Sequence, residues 1–357
     1  MHKPRGGWNA EAGRPKPAAD YQIKYGHGLL EHESSTWPQY VVVATPSAER
    51  AAAGHFSKPS VGTTLVSSLD WSHLDGVAAD LPRSDLVVGL GGGLALDASK
   101  YIALKKNLPL VLVPTLVSTG AIIHGHVAKW DGYRILGNGD DWPWRDFEDI
   151  LVDYDIVLKA PTRLNTAGLG DVLCGFASIA EWFHNANLGI GEPFDKAAVA
   201  QTAGHHRLIV EGFPNTIGPN GALTPKSIRF IMTAIQERDS KALRHPAAIS
   251  ADHSLWMALE EINERRYVHG EVVALCAAII AWHCGENPGL LPGWLDTCNV
   301  GWRPRDALVS KEDLRKGLAF APAYFSDASA GRDIPSILLK KPIIGKSFDA
   351  LWDFLSD

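Results

Sequence analysis

Short runs of β-branched and aliphatic residues, each followed by a turn and a helical stretch, recur through the first 160 residues. This alternation constrains the fold more than any other feature. Tyr40-Val41-Val42-Val43-Ala44 is closed by Thr45-Pro46, and Asp85-Leu86-Val87-Val88-Gly89-Leu90 runs into Gly91-Gly92-Gly93. The run 108–113 ends at Pro114-Thr115. Apolar runs without polar alternation read as strands covered on both faces, hence parallel. Parallel neighbours need crossover connections, and the helical patterns at 47–55 and 94–105 supply them. A further strand is expected at 63–66, a hairpin at 127–136 and a last strand at 150–153. The expected fold is an α/β domain built on a doubly wound, mostly parallel sheet.

The pattern changes at Ala160-Pro161-Thr162. Beyond it β-branched runs become rare, and helices are expected at 163–186, 193–212, 225–239, 247–264, 269–285, 309–320 and 346–356. The predicted organisation is therefore a flexible segment at 1–20, an α/β domain over 21–160 and an all-α domain over 161–357. Hydrophobic residues make up 46% of the chain, enough for substantial cores. The net charge of -6 argues against nucleic acid as a partner, because that binding demands a strongly basic face. It leaves a local anion site open. The longest apolar stretch, 272–282, is too short to span a bilayer, so membrane insertion is not expected. The N-terminus carries no apolar signal core, and the four cysteines include no C-x-x-C pair. A cytoplasmic protein in a reducing compartment is expected. Its expected partners are a small-molecule substrate, with or without a phosphate, and further copies of the chain.

Gly91-Gly92-Gly93 lies between a predicted strand and a predicted helix. Glycines allow a sharp turn and close approach to a pyrophosphate, and the following helix offers free N–H groups and a positive dipole end. The strict G-x-G-x-x-G spacing fails, because position 94 is Leu, so tight-turn packing and phosphate binding both stay open. Asp97 and Lys100 fall three apart on that helix and aim polar groups at one place. Pro114, Thr115, Ser118 and Thr119 follow the next strand, at the carboxyl edge where open α/β sheets bind ligands. A hydroxyl-rich loop with local hydrogen bonds is the other reading.

Asp171, His253 and His269 each stand early in a different predicted helix. One carboxylate and two imidazoles from three helices can converge on a divalent ion and leave a position open for a substrate oxygen. His283 lies on the same helix as His269, ~21 Å further along its axis, and cannot share that ion. Spacing alone does not single out three of fourteen histidines. His124 and His126 point the same way if their stretch is extended, towards substrate or into packing.

In chain order the motifs resemble the superfamily of glycerol dehydrogenases, iron-containing alcohol dehydrogenases and dehydroquinate synthases, over about residues 38–285. The resemblance is nearest to the sn-glycerol-1-phosphate dehydrogenase group. It is carried by Gly91-Gly92-Gly93 with Asp97 and Lys100-Tyr101, and by Val113-Pro114-Thr115 with Ser118. Asp153-Tyr154-Asp155-Ile156 and Ala167-Gly168-Leu169-Gly170-Asp171-Val172-Leu173 with Ala180-Glu181-Trp182 continue it. His253 and His269-Gly270-Glu271 complete it. The resemblance implies a dehydroquinate synthase-like fold, NAD or NADP on Gly91, Gly92, Gly93, Asp97, Lys100, Pro114, Thr115, Ser118 and Thr119, and one divalent metal. The metal is Zn²⁺, with Ni²⁺ or Fe²⁺ as alternatives, held at the catalytic residues Asp171, His253 and His269. The activity implied is a metal-dependent, NAD(P)-linked alcohol dehydrogenase acting on a secondary alcohol and its ketone, foremost sn-glycerol 1-phosphate and dihydroxyacetone phosphate. Two departures stand out. The Asp that family dehydrogenases commonly carry after the loop Ser is absent from Thr119-Gly120-Ala121, and Met257 replaces a second His often found beyond the first His ligand. His269-Gly270-Glu271-Val272-Val273-Ala274 also resembles the synthases, so a sugar-phosphate cyclase using NAD catalytically is the alternative. Lys129, Arg134 and Arg244 are candidates to receive a substrate phosphate.

Overall fold

The computed structural model describes residues 21–136, 142–240, 251–285, 287–327 and 334–356. The expected flexible segment at 1–20 and Arg244 lie outside the described residues. The chain divides into two compact units that meet at Asn165 and Thr166.

The first unit is a six-stranded parallel sheet. Its elements are β1 (Gln22–Gly26), α1 (Leu29–Ser34), β2 (Tyr40–Ala44), α2 (Pro46–Ala51), β3 (Gly62–Leu65) and α3 (Trp71–Ala79). They continue with β4 (Leu86–Gly91), α4 (Gly93–Lys106), β5 (Leu110–Pro114), the antiparallel hairpin β6 (Lys129–Asp131) and β7 (Arg134–Leu136), β8 (Asp149–Asp153) and α5 (Tyr154–Val157). The strand order is β1-β8-β5-β4-β2-β3, with every adjacent pair parallel. The central strands β2, β4 and β5 are buried along their whole length, as expected of strands covered on both faces. Val42, Ala44, Val88, Leu90, Val111 and Val113 form one core with Leu30, Trp37 and Ile156. The edge strand β3 alternates half-buried and exposed positions.

Four elements of this unit carried no sequence expectation: β1, α1, α3 and the four-residue α5. β1 is polar and only half-buried, so it lacks the apolar run that marks the inner strands. α1 begins after Gly28, which holds a left-handed turn (φ 59). The chain is tied there by Asp153 and Asp155. The Asp153 Oδ2 accepts from Leu30 N–H at 2.9 Å, and the Asp155 Oδ2 accepts from Gly28 N–H at 2.8 Å. The Asp153-Tyr154-Asp155 motif is thus a brace between the end of β8 and the turn after β1. α3 is short and starts on an Asp70 cap.

The second unit is helical. Chain connectivity passes through α6 (Thr162–Leu173) into α7 (Gly175–Asn187), α8 (Lys196–Gly212), α9 (Pro225–Ser240), α10 (Ala251–Asn263), α11 (His269–Cys284), α12 (Leu290–Thr297), α13 (Lys311–Phe325), α14 (Ile337–Lys340) and α15 (Lys346–Ser356). The single helix expected at 163–186 is two helices meeting at Cys174. A Cβ on Gly175 would lie 3.1 Å from the His206 ring, so the glycine lets α8 close in at the junction. α12 and α14 are too short to show a periodic pattern. α11 is buried at every position from Gly270 to Ala281. No helix of the described residues is long and apolar enough to cross a membrane.

Candidate metal centre and nucleotide turn

Gly91 ends β4 at φ 148, a conformation that favours glycine, and a Cβ there would meet Ala95 Cβ at 2.7 Å. Gly92 caps α4 with no side-chain hydrogen bond, so no side chain fills the first-turn N–H groups. A Cβ on Gly92 would approach Leu116 to 3.3 Å, and one on Gly93 would approach Thr119 Cγ2 to 3.2 Å. Thr115 N–H donates to the Gly91 carbonyl at 3.0 Å. The loop that follows β5 therefore lies directly on the glycine turn, and the structure brings Gly91, Gly92, Gly93, Pro114, Thr115 and Thr119 together. Ser118, like Thr115 and Thr119, is largely buried. A bare helix N-terminus framed by glycines and hydroxyls fits a phosphate group.

Asp97 and Lys100 are engaged with each other. Lys100 is fully buried, and its Nζ donates to Asp97 Oδ1 at 2.9 Å and to the Ala121 carbonyl. Thr119 Oγ1 accepts from Ala121 N–H, and Asn165 Oδ1 accepts from Val117 N–H at 2.9 Å. Lys100 thus clamps the loop to α4. His124 and His126 pack against each other with ring centroids 5.2 Å apart, and His126 lies edge-on to Trp142 and Trp144. Lys129 and Arg134 sit on the β6–β7 hairpin, where the Lys129 ammonium covers Trp71 at 5.5 Å.

The three proposed metal ligands converge. Asp171 is 1% exposed, and its Oδ1 lies 3.2 Å from His269 Nε2 and 3.3 Å from His253 Nε2. The two imidazole centroids are 5.4 Å apart. Two further groups reach the same place, and sequence reasoning missed both. Arg238 Nη1 is 2.7 Å from Asp171 Oδ1, and it also donates to the Asp171 main-chain oxygen. Cys174 Sγ donates to that oxygen at 3.0 Å. A carboxylate oxygen of Asp171, Cys174 Sγ and a His253 ring nitrogen all lie within 4.8 Å of one another. The spacing of three from Asp171 to Cys174 on a predicted helix puts both on one face; that signal was available. Arg238 is 67 residues from Asp171, on a helix that offered no motif.

Burial opposes the Asp171 charge, yet Arg238 and the two histidines hold the carboxyl well below the usual range. Burial also opposes a charge on His253, but the Cys174 sulfur and the Asp171 and Asp252 carboxylates outweigh it and push its pKa well up. The buried Cys174 thiol is pushed up to about 11, first by burial and then by Asp252. Asp252 Oδ1 lies 2.9 Å from His253 Nδ1. A carboxylate on one ring nitrogen fixes the imidazole and leaves the other nitrogen for a metal. These donors, two imidazoles and a carboxylate with a thiol beside them, are of the kinds that hold a divalent metal ion.

Each of these three side chains is seated by the packing beneath it. Gly170 lets α6 touch α11, since a Cβ there would come 2.5 Å from the Gly270 carbonyl oxygen. That contact sets Asp171 against His269. The buried Glu181 of α7 accepts from Ala251 N–H at 2.9 Å, two residues before His253, and from Ser336 Oγ and Ile337 N–H. Burial pushes its carboxyl up to about 7. His283, excluded from the ion by distance along its helix, has its Nε2 2.7 Å from the Lys341 carbonyl and is a structural tie.

The chain has the fold of the glycerol dehydrogenases and iron-containing alcohol dehydrogenases. Residues 42–161 match the model of the iron-containing alcohol dehydrogenase family. The chain is 26% identical over 231 residues to a glycerol-1-phosphate dehydrogenase of Pyrobaculum arsenaticum, covering 62% of this chain and 64% of that one. It is 23% identical over 245 residues to the same enzyme of Aeropyrum pernix, covering 67% of this chain and 66% of that one. The chain thus spans just under two thirds of the length of these curated relatives. A probable glycerol dehydrogenase from Sinorhizobium meliloti 1021 shares the fold at a TM-score of 0.65 and 18% identity, over 94% of this chain and 97% of that one.

Proposed function

We propose that the protein is a metal-dependent, NAD(P)-linked dehydrogenase that interconverts a secondary alcohol and a ketone, with sn-glycerol 1-phosphate and dihydroxyacetone phosphate as the leading pair. The observation that carries the reading is the meeting of Asp171, His253 and His269 around one carboxylate oxygen. The relatives named for glycerol 1-phosphate and NAD(P)+ support the substrate and the cofactor. Asp171, His253 and His269 would hold a divalent ion, which would supply Lewis-acid chemistry to a substrate oxygen, and NAD(P) bound at the glycine turn would supply the hydride-transfer chemistry.

The chain's own residues bind and orient. Asp252 keeps His253 Nε2 directed at Asp171. Glu181 fixes the first turn of the helix that presents His253. Gly92 and the uncapped start of α4 offer N–H groups to a dinucleotide phosphate, and Lys100 keeps the neighbouring loop in place without spending its charge on the ligand.

The test is NAD(P)H oxidation with dihydroxyacetone phosphate and a panel of small ketones, after loading the full-length protein with Zn²⁺ or Ni²⁺. Turnover that His269→Ala abolishes in a folded protein is the expected result. Release of inorganic phosphate from a sugar phosphate with no net NADH change overturns the proposal in favour of a lyase.

A further inference from the structure

We infer that Cys174 is a further protein donor to the metal at Asp171, His253 and His269, and that its sulfur selects a thiophilic ion, zinc before iron. The inference rests on the metal-dependent reading above and deepens it. Asp171 and Cys174 stand three apart where α6 gives way to α7, so the helix turn itself carries the thiol back onto Asp171. Cys174 keeps a right-handed conformation (φ -55, ψ -24), and its Sγ touches the Asp171 main-chain oxygen at 3.0 Å. Among the described residues, Asp171, Cys174 and His253 are the one set of three His, Cys or carboxylate donor atoms within 4.8 Å of one another, and His269 joins it through Asp171, its Nε2 3.2 Å from Oδ1. The side chain is 2% exposed, beside two carboxylates and an imidazole. An apolar pocket would be the ordinary place for a buried structural cysteine. The remaining cysteines join no such set.

Thiolate, imidazole and carboxylate together form the donor mixture of zinc sites. Sulfur disfavours hard ions, and geometry and ligand type rather than raw affinity decide which metal is held. Binding replaces the S–H bond by a sulfur–metal bond and releases one proton to solvent. Arg238 also contacts Asp171 Oδ1, so the ion either takes the second carboxylate oxygen or displaces the guanidinium.

The test loads metal-stripped, full-length protein with Co²⁺ and records its absorption spectrum, then measures Zn²⁺ affinity by competition with a chromogenic chelator. A sulfur-to-cobalt charge-transfer band in the near ultraviolet is expected in the wild type. Cys174→Ser should lose that band, retain the visible cobalt bands, and bind Zn²⁺ at least ~10-fold more weakly, the lower end of what even an outer-shell partner is worth. Cys174→Ala serves as the second variant, and the wild-type spectrum decides the matter without either. Cobalt uptake with no sulfur band overturns this inference alone, as does unchanged Zn²⁺ affinity in both variants. A wild type that takes up no divalent ion overturns it together with the proposed function.

Discussion

Asp171 draws side chains from α9, α10 and α11 onto one carboxylate. Two imidazoles, a guanidinium and a neighbouring thiol surround a group that is almost wholly buried. An unmatched charge there would cost several kcal/mol, so the cluster is balanced before any ion arrives, and Arg238 supplies the compensating charge. Arg238→Ala should therefore lower the stability of the metal-free protein by roughly 1–3 kcal/mol and enlarge the rise in melting temperature produced by Zn²⁺. Equal zinc shifts in variant and wild type would show that the guanidinium does not share the carboxylate. Asp171→Asn should remove metal uptake and turnover together while circular dichroism stays native; a variant that still holds zinc at wild-type affinity removes Asp171 from the ligand set. The two buried carboxyls have opposite pH signatures. Asp171 is held below its unfolded value, so its contribution is present above pH ~4 and is lost as pH falls further. Glu181 goes from 4.5 unfolded to about 7 folded. Its proton is bound more tightly in the native state, so its contribution is full below pH 4.5 and disappears as pH rises through 7. Urea unfolding of the metal-free protein at pH 5 and pH 8 should show wild type losing up to ~3 kcal/mol relative to Glu181→Gln on going to the higher pH. A difference that does not change with pH refutes the assignment.

Helices and strands differ in how far they were legible. β2, β4 and β5 announce themselves because an inner parallel strand must be apolar on both faces, and Val41, Val88 and Val111 are. β1 hides because half of its surface stays wet, so Gln22 and Lys24 carry no cost there. The break between α6 and α7 was invisible because Cys174 keeps helical angles, and the close approach of His206 to Gly175 comes from another helix. Residue chemistry and family order pointed to Asp171, His253 and His269, whose side chains the fold brings together; Arg238 joins them through helix packing that no local pattern encodes, and Cys174 through its i, i+3 spacing to Asp171. That packing is narrow at Gly170. Gly170→Ala would drive a methyl into the Gly270 carbonyl and Val300, separate α6 from α11, and cost about 1–3 kcal/mol. The denaturation midpoint should fall and zinc affinity should fall with it, because Asp171 and His269 ride on the two helices. A variant destabilised with unchanged zinc affinity would separate the contact from the site.

At the scale of the molecule the chemistry is divided along the chain. Every candidate nucleotide residue precedes Asn165 and every candidate metal donor follows Thr166. Hydrogen exchange on one preparation reads both halves. NADH or NADPH should slow exchange first at the start of α4 and in the loop after β5, and Zn²⁺ should slow it first around Asp171, His253 and His269. Nucleotide protection centred on α10 or α11 would contradict the assignment. The apolar character of α11 has a bearing on biosynthesis. It packs on α7 and α10, both of which leave the ribosome before it, and α12, which also covers it, follows within a few residues. The greasiest segment of the chain emerges into partners already made, so its exposure to chaperones and to other nascent chains is brief.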